Sequence, residues 1–119
     1  MVALNIAAVS LDCADPDELG SFYQRLLGGE LLWSNAGSAG VRAGDFVLVA
    51  QRVTPYLRPE WPGASVVHLD LAATPDLETA TAAAIEVGAQ LVEAQPDPRW
   101  NVLLDPAGHP FCITTLTPD

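Results

Sequence analysis

The chain predicts an α+β fold built from two βαβββ modules in tandem, and three observations carry this. The order strand, helix, strand, strand, strand is stated twice along 119 residues. A gapless shift of sixty residues lays Asp15-Pro16 over Pro75-Asp76 and Gly28 over Gly88, and a shift of fifty-eight instead pairs Val9-Ser10-Leu11-Asp12 with Val67-His68-Leu69-Asp70 at the cost of a later two-residue insertion; both are even and keep the same strand faces, so the repeat is internal. Half of the residues (50%) are hydrophobic and the mean hydropathy is +0.24, enough apolar surface for a core without staples. Length suits one compact domain over 1–119: module one about 1–54, a loop at 55–65, module two about 66–119.

The elements follow from local pattern. Residues 5–13 alternate: Val9, Leu11 and Cys13 point one way, and Ala8, Ser10 and Asp12 the other, which reads as a half-buried strand. Asp15 is a helix N-cap, Pro16 fits the first helical position, and Asp17 and Glu18 suit the positive end of the helix dipole. Leu19, Phe22, Tyr23, Leu26 and Leu27 recur at helical spacing until Gly28-Gly29 stops the helix. Strands are predicted at 30–34, 40–43 and 46–53, with small polar residues turning the chain at 35–40 and Gly44-Asp45 turning it again. Pro55, Pro59, Pro62 and Gly63 forbid regular structure at 54–65, a long connection for a small domain.

The pattern then restarts. Residues 66–72 alternate, with Val67, Leu69 and Leu71 opposite His68, Asp70 and Ala72. Thr74-Pro75-Asp76 opens a helix that runs through Ala84, Ile85 and Val87 to Gly88. Strands are predicted at 89–93, 100–104 and 110–116, with Asp105-Pro106-Ala107-Gly108 as a turn.

Composition excludes several classes of function. Fifteen acids against five arginines and no lysine give a net charge of −10, which repels phosphate backbones and anionic lipid. No nucleic-acid or membrane partner is therefore expected. Two cysteines, Cys13 and Cys112, are too few for a disulfide framework. The first residues lack a signal-peptide pattern and no apolar run is long enough to span a bilayer, so a cytoplasmic chain with reduced thiols is expected. Phosphate-loop, Ser-His-Asp and nucleotide fingerprints are missing from the sequence.

The element order resembles the vicinal oxygen chelate superfamily, which includes glyoxalase I, extradiol dioxygenases, fosfomycin-resistance proteins and bleomycin-resistance proteins. Phe22-Tyr23 and Leu26-Leu27-Gly28 on the first helix carry the likeness, with Asp105-Pro106-Ala107-Gly108-His109 before the last strand. The segments Leu11-Asp12-Cys13-Ala14-Asp15-Pro16, Tyr56-Leu57-Arg58-Pro59-Glu60-Trp61-Pro62 and His68-Leu69-Asp70-Leu71 are similar to those of small glyoxalase-like proteins common in actinobacteria, as is the end Gly108-His109-Pro110-Phe111-Cys112. The resemblance implies a curved eight-stranded mixed sheet around a cavity, with the helices outside. Ser10, Asp12, His68 and Asp70 would then face the cavity, and Val9, Leu11, Val67, Leu69 and Leu71 the helices.

Active members of that superfamily hold a divalent metal with four side chains from the first and last strand of each module. The matching positions here are Ala8, Gln51, His68 and Cys112. Alanine has no donor, and cysteine stands where a carboxylate is usual; Ser10 in place of Ala8 leaves the set weak. The expectation is accordingly no metal and no cofactor, and metal-independent binding of, or mild chemistry on, a small organic molecule. A polar line of Ser10, Asp12, Gln51, His68 and Asp70, with Cys112, walled by Trp61 and Trp100, suits a neutral or cationic aromatic compound. The alternative is a metal-dependent lyase, isomerase or dioxygenase that uses His68 and Gln51. A third reading is an interaction module with a vestigial cavity.

His68 is the only histidine on a cavity-facing strand position and the expected polar anchor. His109 reads as a turn residue and Cys13 as core. Trp33 is a further aromatic to place. Trp61, with Tyr56 and Arg58, would cap the cavity or bury itself between two copies of the chain. A homodimer is expected, so light scattering at high micromolar concentration should give twice the 12.6 kDa chain mass; a monomeric mass would contradict it.

Overall fold

A computed structural model describes residues 4–63 and 67–116. Module one holds β1 (Val9–Cys13), α1 (Pro16–Leu27), β2 (Glu30–Ser34), β3 (Ser38–Ala43) and β4 (Phe46–Arg52). Module two holds β5 (Leu69–Ala72), α2 (Leu77–Glu86), β6 (Gln90–Leu91), β7 (Trp100–Leu104) and β8 (Pro110–Thr114). The α+β class and the repeated βαβββ order are as the sequence predicts. Hydrogen bonding places the eight strands in two four-stranded mixed sheets, ordered β1-β4-β3-β2 and β5-β8-β7-β6. In each, the module's first strand runs parallel to its last, and the other pairs are antiparallel. The chain separates into two compact units, Met1–Tyr56 and Leu57–Asp119, with the boundary in the proline-rich connection.

Helix α1 begins where its sequence says it should. The Asp15 side chain accepts from the backbone N–H groups of Asp17 and Glu18, and Gly28 closes the helix at φ 63°. Leu19, Phe22 and Tyr23 are buried, as are Val41, Leu48, Ala50 and Cys13 on the sheet beneath. Phe22 and Tyr23 meet edge to face at 4.8 Å. A side chain at Gly20 would collide with Ala39, so the glycine sets how closely α1 approaches β3.

Helix α2 packs differently. Asp76 caps it by accepting from Thr79 N–H at 2.7 Å, which holds the Asp76 carboxyl below its usual pKa. The gapless sixty-residue shift is therefore one residue off at the cap, since Asp76 rather than Pro75 answers Asp15. Its buried face is small, Thr81 and Ala84, and Ile85, read as part of the apolar stripe, is exposed. The sheet supplies the bulk instead: Phe111, Leu103 and Ile113 are almost wholly buried, and Asn101 donates to Thr81 Oγ1 at 3.0 Å.

Several predicted boundaries move. The first strand starts at Val9 rather than Asn5, leaving Ala8 exposed ahead of it. The strand read at 40–43 begins at Ser38, because Asn35 Oδ1 accepts from Gly37 and Ser38 N–H and tightens the turn to three residues. The strands read to Val53 and to Leu116 end at Arg52 and Thr114. The strand read at 89–93 shrinks to Gln90–Leu91, because Gln95 turns back and donates to Val92 C=O and Val102 C=O. Residues 66–72 form a strand only from Leu69; Val67, assigned to the helix-packed face, is 75% exposed, and Val66 lies outside the described residues.

The turn before β8 is built on Asp105. Its side chain is buried and accepts from Ala107 N–H at 2.9 Å and His109 N–H at 3.0 Å. Arg58 lies across this turn: its guanidinium donates to Pro106 C=O, and its stem fills the space where a Gly108 Cβ would sit. Arg58 thus ties the long loop to the turn. Asp105→Ala should cost ~1–3 kcal/mol by leaving the buried Ala107 N–H and the part-buried His109 N–H without their acceptor, read as a lower midpoint in urea unfolding.

Candidate functional site

Strand register decides which side chains of module two share a face. Asp70 lies opposite Cys112, and Cys112 opposite Val102; one row on, Ala72, Thr114 and Trp100 align. The intervening residues Leu69, Leu71, Phe111, Ile113, Leu103 and Asn101 take the α2 side by the period-two rule. His68, two residues before Asp70, joins the Asp70 face. An alternation visible in the sequence has thus become a surface that carries an imidazole, a carboxylate, a thiol and an indole.

That surface lines a cavity of about 390 Å³, a size that suits a small organic molecule. Trp61, Trp100, Val102, Pro96 and Leu116 supply its apolar walls. His68, Asp70, Cys112 and Thr114 supply the polar part. Trp61 reaches it from the proline-rich loop and is half-buried, as is Tyr56. A larger, more open hollow of about 1030 Å³ lies along Gln90–Pro96 and shares Trp61 and Pro96 with the first. Its only titratable lining group is Glu93, so the smaller cavity is where chemistry converges.

His68 Nε2 stands 3.2 Å from Asp70 Oδ1. The two side chains are 45% and 62% exposed, so solvent screens the pair and its worth is specificity rather than stability. A neutral His68 that donates Nε2–H to Asp70 keeps Nδ1 as an acceptor. The Cys112 thiol is pushed up to about 11, first by burial, then by the Asp70 charge and the hydrogen bond to it. At neutral pH it is a thiol, which agrees with its reading as a small buried group rather than a nucleophile.

The Trp100 wall is braced from outside. Arg99 makes a two-point ion pair with Asp97, at 2.9 and 2.8 Å, and its guanidinium carbon stands 5.4 Å from the Trp100 ring centroid. The same contact holds the Asp97 carboxyl at about 2.

Five of the eight predicted site residues, His68, Asp70, Cys112, Trp61 and Trp100, come together here. Ser10, Asp12 and Gln51 belong to module one, where Asp12 lies opposite Gln51 and Ser10 opposite Val49, all three predicted residues exposed. Trp33 covers Gly40 in its own sheet and donates to Ser38 Oγ. Sequence reading missed Val102, Thr114, Pro96 and Leu116. The alternations Trp100, Val102, Leu104 and Cys112, Thr114, Leu116 were signals for three of them; no local pattern marks Pro96.

The divalent metal that the resemblance implies is poorly served by these residues. Ala8 has no donor atom, Gln51 is a weak neutral ligand, and the Cys112 thiol is protonated and soft where a hard cation takes oxygen. No step is derived through such an ion.

The glyoxalase-like domain model matches residues 8–114. The chain belongs to this family. No curated protein matches its sequence. Solved structures share its fold at low identity. The manganese(II) and 1S,2S-dihydroxypropylphosphonic acid complex of an E126Q mutant of the fosfomycin-resistance protein FosX from Listeria monocytogenes is 13% identical. It has a TM-score of 0.73 over 98% of this chain and 93% of that one. FosX from Mesorhizobium loti is 12% identical, with a TM-score of 0.72 over 98% and 95% of the two chains. An integron cassette protein from the mobile metagenome of Vibrio cholerae is 17% identical, with a TM-score of 0.67 over 98% of each chain. The glyoxalase-like domain thus has the vicinal oxygen chelate fold. Among the described residues, no helix is long and apolar enough to cross a membrane.

In a Cys13→Ala background, alkylation of Cys112 followed by mass spectrometry should rise with an inflection near pH 11; one near the ordinary 9.0 would contradict the burial argument. The unfolded chain releases this proton first, so stability contributed by Cys112 is full below pH 9.0 and declines as pH rises toward 11.

Proposed function

We propose that this glyoxalase-like domain binds a small aromatic molecule, neutral or cationic, in the module-two cavity, without the family's hard divalent cation. The observation that carries the reading is the convergence of two tryptophans with a histidine–carboxylate pair on one cavity of ligand size. Trp61 and Trp100 offer flat apolar contact, worth ~0.5–1.5 kcal/mol beyond area for an aromatic partner. His68 Nδ1 accepts a hydrogen bond from the ligand, and the Asp70 carboxylate favours a positive charge over a negative one. A net charge of −10 works in the same direction. A cytoplasmic setting and the homodimer remain part of the proposal; Leu57, 82% exposed in the long loop, is the apolar side chain that a partner copy would cover.

A panel of aromatic amines and uncharged aromatic analogues, titrated by tryptophan fluorescence with chelator present, tests the reading. Members that bind should lose ~1–3 kcal/mol, one to two decades of affinity, in His68→Ala. Trp100→Ala should weaken them too, and Cys13→Ala should alter stability alone. Equal affinity for His68→Ala and the parent chain would remove His68 from the site. Plasma emission that finds one Mn²⁺ or Mg²⁺ per chain, lost in His68→Ala, would favour the metal-dependent lyase, isomerase or dioxygenase instead.

A further inference from the structure

We propose that the two hollows of module two are one bipartite site, whose ligand carries an unbranched aliphatic chain on the flat head that Trp61 and Trp100 wall. This rests on the proposed function and narrows the class of molecule: a long-chain aromatic, neutral or cationic, without an anionic end. The chain leaves the smaller cavity past Trp61 and Pro96 and lies in the wider hollow along Gln90–Pro96.

Strand β7 carries the argument. Trp100, Val102 and Leu104 alternate along it, so all three project from the face away from α2. Trp100 and Val102 line the smaller cavity, and Leu104 lines the larger hollow. From Trp100 to Leu104 the strand runs ~13 Å, at ~3.3–3.4 Å per residue. A ring seated at Trp100 with an extended chain thus follows one apolar row from the first hollow into the second. Trp61 and Pro96 line both, so the two volumes meet at an indole and a proline rather than at a charged group.

The rim of the second hollow is held by side-chain bonds. Gln95 Nε2 donates to Val92 C=O at 2.8 Å and to Val102 C=O at 3.0 Å, and Gln95 Oε1 accepts from Val102 N–H at 2.7 Å. These bonds continue the β6–β7 pairing beyond Leu91 and keep residues 92–96 beside β7. Val102 takes them on its backbone while it lines the smaller cavity, so one residue ties the two hollows together.

The lining selects the ligand. Leu91, Val92, Ala94 and Leu104 make the second hollow aliphatic, which favours a chain over a second ring. Glu93 puts a negative charge on its rim, so a terminal ammonium is favoured over a terminal carboxylate. The same charge, on a chain of net −10, counts against a second copy as the occupant.

Titration calorimetry with N-alkylpyridinium ions, from methyl through butyl and hexyl to octyl, tests this with chelator present and below micelle-forming concentrations. Affinity should rise roughly twofold per methylene, about half of the gain in free energy that full burial gives. Leu91→Ser and Leu104→Ala should each remove roughly fivefold of the octyl ion's advantage and leave methylpyridinium unchanged. Leu91, 42% exposed, keeps the test open if Leu104→Ala does not fold. A carboxylate at the chain's end should weaken binding several-fold, an ammonium should not, and Glu93→Gln should narrow the gap. Octylammonium, a chain without a ring, should bind far more weakly than octylpyridinium. Equal affinity along the series, with methylpyridinium still weakened by Trp100→Ala, would overturn the proposal and leave the aromatic-ligand reading in place. Octylammonium as tight as octylpyridinium would remove that reading, and the bipartite site with it. A chain-length gain that survives both leucine variants would place the chain elsewhere. Leu91→Ser that turns a dimer into a monomer in light scattering would give the hollow to a second copy; either result overturns the proposal.

Discussion

Strand β8 is the constraint on which module two depends. All five of its residues are buried, and it pairs with β5 on one side and β7 on the other. Its α2 face carries Phe111 and Ile113, which fill the space a small-residue helix leaves. Its opposite face carries Cys112 and Thr114 into the cavity. Core and site are thus two faces of one strand, and a slip of one residue would exchange them. The Asp105 turn sets where that strand begins, so a buried carboxylate at the turn positions the donors seven and more residues away.

The long loop gains meaning from the same turn. Arg58 reaches Pro106 C=O and packs on Gly108, whose φ of 90° and lack of a side chain admit the stem. With Arg58 anchored there, Trp61 three residues on lines the cavity from a segment without regular structure. Trp100 gains its place differently, through the Asp97–Arg99 pair that stands over its ring. Two of the chain's five arginines thus bear on the aromatic walls, Arg58 by anchoring the loop that carries Trp61 and Arg99 by standing over the Trp100 ring.

Charge and polarity in the site point the same way. Asp70 touches both of its polar neighbours: it pairs with His68, and it adds to the burial that keeps Cys112 protonated. The pairing favours the tautomer with a proton on His68 Nε2, and burial together with the Asp70 charge suppresses the thiol's nucleophilicity. The group that makes the cavity hospitable to positive charge thus reinforces what burial does to the cysteine.

Sequence alone determined the α+β class, the doubled βαβββ order, the Asp15 cap, the Gly28 stop and the face on which His68 and Asp70 lie. These are local or periodic properties, and backbone sterics write them into neighbouring residues. It also named five of the residues that meet in the cavity: alternation placed His68 and Asp70, the family resemblance Cys112, and their aromatic character Trp61 and Trp100. It overstated strand lengths at 5–13, 89–93 and 110–116, because hydrogen-bond partners rather than propensity decide where a ladder ends. Val67 reads like Leu69 in sequence but precedes the pairing that would bury it. Only the tertiary structure decided that Cys112 lies beside Asp70, that Arg58 serves the turn, and that Val102, Thr114, Pro96 and Leu116 close the cavity. Those contacts join residues remote in the chain, and the register between β5 and β8 that creates them is fixed by side-chain burial across the whole sheet.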